Sequence, residues 1–515
     1  MSIYWGDLHN HCNITYGYGS LDNALEAARG QLDFCAVIGH AMWPDIPKSR
    51  KEWEYEVNYH LEGFRKLREG WDRVQRTVSE ANVDGKFVTF QGYEMHSLKY
   101  GDHHFLSPDD KMPLLEAESP GALMEMLAAY PVMAVPHHIG YPPGQRGANW
   151  DSFREANSPL VEVYSKHGCS MSDESAYPFL HTMGPRDSRS TVFHGLRQGK
   201  RFGFVASTDH HAGYPGSYGD GRLAVLATAK TRAAIWDALM NRRVYAVTGD
   251  KIVCGFQVNG ADFGSIIQDA PLRRISLSVR GCDRLDKIVV YKNTHPWKVI
   301  CGEELEMAVQ DGGLDGGGMF GADRSGVGTY KVRVELGWGK PAEAFAWQGR
   351  LAIDGGSIVS AETCFRGRSV LAPTPEMGDD DNMNKLDQRM HSLSEAEAEW
   401  TCASFKNPTT LHPTTAAVIF ELAGGTGTRL RLTINGRDIA VGLGELLEGS
   451  RSYPMGDLLS ETVLVHKAVP ECAYTFAGEW EDRERLSGND FYHAEVRQVN
   501  GQYAWITPVY LDEAL

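Results

Sequence analysis

The sequence predicts an α/β first half built on a parallel sheet or barrel and an all-β second half, and three observations carry that expectation. Short apolar runs alternate with amphipathic stretches through the first 250 residues. Fourteen of the 19 histidines precede residue 212, so the chemistry belongs to that half. Beyond Asp250 the pattern changes to alternating strands separated by glycine turns. With 515 residues the chain is long for one core, and two domains, 1–250 and 251–515, are expected.

The first-half strands are read at Phe34–Ile38, Phe87–Phe90, Val132–Val135, Leu160–Val163 and Phe202–Val205. Helix signals lie between them. Ser20 caps Leu21–Arg29, whose Leu21, Leu25 and Ala28 share a face, and Ser119-Pro120 opens a helix to Ala129. A third helix is expected over Arg232–Arg242. The charged, aromatic stretch Lys48–Arg76 reads as an inserted helical pair beside the site, either a solvated face or a lid. In the second half Ile275–Arg280, Lys287–Tyr291, Tyr330–Glu335 and Arg429–Ile434 alternate as the strands of a sandwich do. Gly312–Gly328 lacks the regular ligand spacing of a calcium loop and reads as a flexible loop, and Gly424–Gly427 reads as a turn rather than a phosphate loop.

A net charge of −16 argues against non-specific binding to nucleic acid or anionic membrane. No run of 18 apolar residues occurs, the opening MSIYWGDLHNHC lacks the regions of a signal peptide, and the nine cysteines form no C-x-x-C pair. The expectation is a cytoplasmic protein with reduced thiols, a small-molecule substrate and a homo-oligomer left open. Cys12, beside His11, is read mainly as core, with a soft metal ligand as the alternative.

The strongest local signal is Gly6-Asp7-Leu8-His9-Asn10-His11. In an extended chain residues i and i+2 point the same way, so Asp7, His9 and His11 share a face. Further ligand types stand where apolar runs end: His40, Glu94, the pair His137 and His138, and Asp209 with His210 and His211. In parallel barrels the C-terminal ends of strands are where active sites assemble.

Taken in order, G-D-L-H-N-H, His40 after its strand, Gln91-Gly-Tyr-Glu94, Gly101-Asp-His-His104, Pro136-His-His138 and Ser207-Thr-Asp209-His-His211 resemble the PHP (polymerase and histidinol phosphatase) family of metal-dependent hydrolases over residues 4–250. That resemblance implies a distorted (β/α)7 barrel, here followed by a sandwich-like β domain, and divalent zinc, manganese or iron. It implies that His9, His11, Glu94 and Asp209 hold one ion, and that Glu94 bridges to a second held by His103 or His104 and by His137. His103 and His137 are favoured over His104 and His138, because neighbours on a strand face opposite ways. The chain departs from the family where an Asp or His beyond H-x-H is replaced around Thr15-Tyr16-Gly17, and where the usual T-D-H reads Ile38-Gly39-His40. Two ions and a weak or absent third site, left with His40 and His211, are therefore expected. Those two histidines then bind substrate or transfer protons, with Asp209 as the third catalytic candidate. Glu162 is read as a partner of a ligand or as plain strand. His96, His181 and His194 are read as ordinary polar residues, and Arg146 and Lys166 as neutralising an anionic substrate or as solvated surface.

Two cations about 4 Å apart activate a bridging water, which attacks a phosphoester or, equally in principle, a carboxyl ester, carbamate, amide or lactone. Phosphoester hydrolysis is the favoured reaction and a silent metal-binding scaffold the non-enzymatic alternative. No G-x-S-x-G elbow supports a serine hydrolase, since Gly216-Ser217-Tyr218-Gly219 has the wrong spacing. The histidine concentration speaks against a glycosidase with paired carboxylates.

Overall fold

The structure is a computed structural model that describes the chain except residues 180–183, 303, 306–327, 340–343, 369, 371–379, 406–413, 487 and 514–515. His181 and the glycine-rich stretch 312–327 lie outside the described residues. The first half is mixed α/β. Its strands are β1 (Ser2–Asn10), β2 (Phe34–Val37), β3 (Gly39–Met42), β4 (Val88–Thr89), β5 (Gln91–Met95), β6 (His103–Ser107), β7 (Met133–Pro136), β8 (Leu160–Ser165), β9 (Gly168–Cys169), β10 (Gly203–Ala206), β11 (Arg222–Ala227) and β12 (Val244–Val247). The helices are α1 (Leu21–Arg29), α2 (Glu54–Ala81), α3 (Pro120–Met126), α4 (Val192–Arg197) and α5 (Arg232–Met240).

The caps form as their residue types dictate. Ser20 accepts from Asn23 N, Ser119 from Ala122 N and Thr231 from Ala234 N, and α1 buries Leu21, Ala24, Leu25 and Ala28. The expected helical pair over 48–76 is instead a short 3-10 turn, Lys51–Trp53, leading into one 28-residue helix. Nothing in α2 breaks it: Gly63 and Gly70 stand alone in a run whose buried Val57, Phe64, Leu67, Trp71, Val74 and Val78 keep helical spacing.

Among the described residues the expected distorted (β/α)7 barrel is not found as a closed barrel. The first-half strands lie in three sheets: β12-β11-β1-β2-β4 within a larger one, β3-β5-β6-β7, and β10-β8-β9. Pairs β1/β2, β2/β4, β3/β5 and β8/β10 are parallel, but β1/β11, β11/β12, β5/β6 and β6/β7 are antiparallel. Residues 96–102, which join β5 to β6, are too few for a crossover, so that pair must reverse direction. The ladders are also interrupted. Register shifts fall between Asp7 and Asn10, His40 and Met42, and Val205 and Ala206, and the chain changes sheet at Ile38 between β2 and β3. Gly39 at that change must lack a side chain, because a Cβ there would lie 2.7 Å from Leu67 Cδ1 of α2. What joins the sheets is packing: Leu8, Phe34, Ile38, Leu106, Val135, Leu160, Val205 and Leu223 belong to one buried apolar cluster.

After residue 250 the described residues are mostly strands, with short helices that include Leu443–Glu448 and Glu471–Tyr474. Gly424–Gly427 is not a turn but part of the long strand Ala416–Ile434, where Gly424 pairs with Gly328 on one side and Gly356 on the other. Sheet pairing crosses residue 250: Tyr503–Asp512 pairs with β12, and Phe491–Gln498 pairs with Tyr503–Asp512. All nine cysteines are free and seven are buried; Cys12 packs with Leu21, Leu25 and Val37. Among the described residues no helix is long and apolar enough to cross a membrane.

Candidate metal centre

Strand registers put the ligand types together. His9 and His11 occupy the end of β1, and the segment after β10 lies alongside them, with Asp209 N donating to His9 O at 2.7 Å and His11 N to His210 O at 3.0 Å. Across the second sheet His40 on β3 stands opposite Glu94 on β5, and Glu94 stands opposite His104 on β6. Cross-strand partners share a face, so these three point one way. His137 follows β7 and reaches Glu94 Oε1 at 2.9 Å.

The centre of the arrangement is four acceptor atoms. His9 Nε2 lies 3.0 Å from His11 Nε2 and 3.3 Å from Asp209 Oδ1, while His11 Nε2 lies 3.1 Å from Asp209 Oδ1 and 3.2 Å from Glu94 Oε2. The outer nitrogens are committed. His11 Nδ1 lies 3.1 Å from the carbonyl of Ile38, which can only accept, and His9 Nδ1 lies 3.0 Å from Glu162 Oε2. In the neutral rings both Nε2 lone pairs then face two carboxylates. Such a convergence of buried acceptors is unfavourable without a cation between them, and mixed imidazole and carboxylate donors fit a divalent ion. His9, His11 and Asp209 bring ligand atoms within 4.8 Å of one another, and so do His9, His104 and His137; His11, His40 and His211; His40, Glu94 and His96; and Glu94, Asp102, His137 and His138. Both ring nitrogens of His104 are buried without a hydrogen-bond partner, as a waiting ligand would be.

The electrostatics have the same origin. Burial disfavours charge on every one of these groups, yet Asp209 and Glu162 hold His9 well above its usual range. Glu94 is buried but lies well below the usual carboxylate range because of His40, His96 and His137, and Asp209 does so because of His9 and His167. Burial keeps His40, His104 and His211 well below the usual imidazole range, and raises Glu162 to about 7 against the pull of His9.

Several expectations need correction. His103 belongs to none of these groups: the register that points His104 inward turns His103 away, and its Nδ1 lies 3.0 Å from Gly101 O. His138 is not excluded by its neighbour. It has a positive φ of 30°, and both His137 and His138 join the group around Glu94. Asp7 shares no ion group; Oδ1 accepts from His9 N and Thr208 N, and Oδ2 from Thr208 Oγ1 and Gly216 N. It ties β1 to the segment carrying Asp209. Asp7→Ala is expected to cost about 1–3 kcal/mol for each buried donor left without an acceptor, read from denaturant unfolding. A stable variant that has lost a metal equivalent would make Asp7 a ligand instead. His96 is no ordinary polar residue, since its Nδ1 lies 3.2 Å from Glu94 Oε1. His167, whose Nε2 is 2.7 Å from Asp209 Oδ2, and Asp102 were not singled out from sequence. The i±2 rule applied to Glu94 and His104 would have pointed to His96 and Asp102. Arg146 and Lys166 are not solvated surface: Arg146 Nε donates to Asp102 Oδ2 at 2.6 Å, and Lys166 Nζ to the carbonyl of Val370 at 2.9 Å.

Aromatic rings pack against one side of the cluster. The Tyr16 ring stacks on His40 with centroids 4.0 Å apart, its hydroxyl lies 3.2 Å from His96 Nε2, and Tyr59 and His60 of α2 pack against it.

No protein-family model matches the chain. It is similar to uncharacterised proteins of Chlamydia muridarum, at 24% identity over 319 residues, and of Chlamydia trachomatis serovar D, at 25% identity over 319 residues; each match takes in 56% of this chain and 48% of the relative. The chain thus spans about half the length of the curated relatives it matches. Among solved structures, a Bacteroides vulgatus two-domain protein described as containing a predicted PHP-like metal-dependent phosphoesterase overlaps 57% of this chain and 80% of its own, at 13% identity and a TM-score of 0.32. The lesion-specific endonuclease PfuEndoQ of Pyrococcus furiosus overlaps 46% of this chain and 56% of its own, at 11% identity and a TM-score of 0.27.

Proposed function

We propose that the chain is a metal-dependent hydrolase that cleaves a phosphoester of a small molecule. The observation that carries this is the convergence of His9 Nε2, His11 Nε2, Asp209 Oδ1 and Glu94 Oε2 with their outer atoms already engaged. His9, His11, Asp209 and Glu94 would hold one divalent ion, and Glu94 with His104 and His137 a second. Divalent ions there supply Lewis acidity and lower the pKa of water.

The chain's own residues do the rest. Glu162 fixes the ring of His9, the Ile38 carbonyl that of His11, and His167 the carboxylate of Asp209, so the ligands are oriented before substrate arrives. His211 Nδ1 donates to the carbonyl of Asp209 at 3.1 Å, which leaves the Nε2 lone pair to take a proton from water and pass it to the leaving oxygen, with His40 as the alternative. Hydrolysis of a carboxyl ester, carbamate, amide or lactone is the second reading. It is favoured by the engagement of both Arg146 and Lys166 within the protein, which leaves them less suited to grip a phosphate.

Hydrolysis of chromogenic phosphomonoesters, phosphodiesters, carboxyl esters and carbamates by manganese- or zinc-loaded protein tests both readings. Turnover of a phosphoester that is lost in Asp209→Ala is the expected result. Turnover of carboxyl esters or carbamates alone would establish the second reading, and metal-loaded protein silent across the panel would count against catalysis.

A further inference from the structure

Arg146 is placed with unusual constraint. It has a left-handed φ of 69° in a turn whose Gly147 could carry no Cβ, which would lie 1.8 Å from Tyr141 O. Its half-buried guanidinium stacks on Trp43 at 5.3 Å from the ring centroid, donates from Nε to Asp102 Oδ2 at 2.6 Å, and brings Nη2 to 2.8 Å from His96 Nδ1. His138 Nε2 lies 3.4 Å from the same Asp102 oxygen. His96 Nδ1 also lies 3.0 Å from Asp102 Oδ2, and its Nε2 lies 3.2 Å from the Tyr16 hydroxyl. An imidazole nitrogen and a buried carboxylate thus lie against one positive group, beside Glu94 and a second imidazole. These are the donors that hold divalent ions a few ångströms away, and Asp102 and His138 also form an ion-sized group with Glu94 and His137.

We propose that Arg146 is a built-in cation: its guanidinium takes the place of a divalent ion among Asp102, His96 and His138, and removing it opens an additional metal site there. The proposal rests on the reading of the neighbouring cluster as a metal centre. Arginine is permanently charged, so this positive charge does not exchange with the medium. The substitution also explains why Asp102 lies well below the usual carboxylate range despite burial, with Arg146 first and His96 second among the causes.

Metal content per folded chain after saturation with Mn²⁺ or Zn²⁺ and desalting tests it. Arg146→Ala is expected to bind one equivalent more than the unaltered protein, and the gain is expected to vanish in Arg146→Ala combined with Asp102→Asn. Arg146→Lys, which keeps a positive charge, should retain the original content. Asp102→Asn alone should also retain it, because the charge of Asp102 is met by Arg146 and not by metal; this variant decides the matter if Arg146→Ala does not fold. Unchanged content in folded Arg146→Ala, or a lost equivalent in Asp102→Asn, would overturn the proposal. The two ideas fail separately: unaltered protein that binds no metal sinks the hydrolase reading, whereas two equivalents in both unaltered protein and Arg146→Ala sink only this one.

Discussion

Glu94→Gln is expected to weaken divalent-metal binding by about 100-fold or more and to reduce turnover at least as much, because outer partners of metal ligands alone are worth about 10–100-fold. Glu94 is where the groups meet. Its Oε2 lies 3.2 Å from His11 Nε2 and 3.3 Å from His40 Nε2, and its Oε1 lies 2.9 Å from His137 Nε2. Among the described residues no other carboxylate reaches ligands from β1, β3 and the end of β7 together. The amide that replaces it loses the negative charge but can donate to imidazole nitrogens, so the variant should fold. Calorimetric titration of chelator-stripped protein reads the affinity and circular dichroism the fold. A folded variant that still takes up metal with unaltered affinity would remove Glu94 from the site.

The second large effect is the joint dependence of stability on metal and acid. For a site at 1,000 times its Kd, bound metal adds about 4 kcal/mol to unfolding. The histidines His40, His104, His137 and His211 have lowered values in the folded chain, burial being the first cause. Their contribution is present above the ordinary imidazole value of about 6.5 and is lost as pH falls below it, because the unfolded chain then binds more protons. His9 and His11 act with the opposite sign, since their raised values favour the folded state in acid and lose that contribution as pH rises through them. The depressed Glu94 and Asp209 contribute above the ordinary carboxylate range of about 4, and that contribution goes only in stronger acid. His60, His103, His138, His210 and His493 are lowered as well, so the lowered histidines outnumber the two raised ones; metal-stripped protein should lose stability between about pH 7 and pH 5.5, and the metal-dependent increment should shrink over the same range. Denaturant midpoints with and without chelator measure both. An increment of equal size at the two ends would show that histidines do not bind the ion.

The parts legible in the sequence were those set by local geometry. His9 and His11 share a face because they are two apart, and His40, Glu94, His137 and Asp209 follow apolar runs, the first two within β3 and β5 and the last two beyond β7 and β10. What escaped is set by pairing between distant segments. The choice of His103 over His104 turned on a parity that only the register Glu94 to His104 decides. The closed barrel failed for a related reason, since an apolar run carries no mark of strand direction and β6 and β11 run against their neighbours. The return of Tyr503–Asp512 to β12 joins residues some 250 positions apart and leaves no trace in either segment. The role of Arg146 depends on a backbone turn that brings it to Asp102, 44 residues away.

The most direct test is elemental analysis of protein purified without added metal and again after stripping and reconstitution, beside Asp209→Ala. Two equivalents of a divalent transition metal per chain, reduced to one or none in the variant, are the expected result. Folded protein that retains less than about a tenth of an equivalent after reconstitution would contradict the reading of His9, His11, Glu94 and Asp209 as a metal centre.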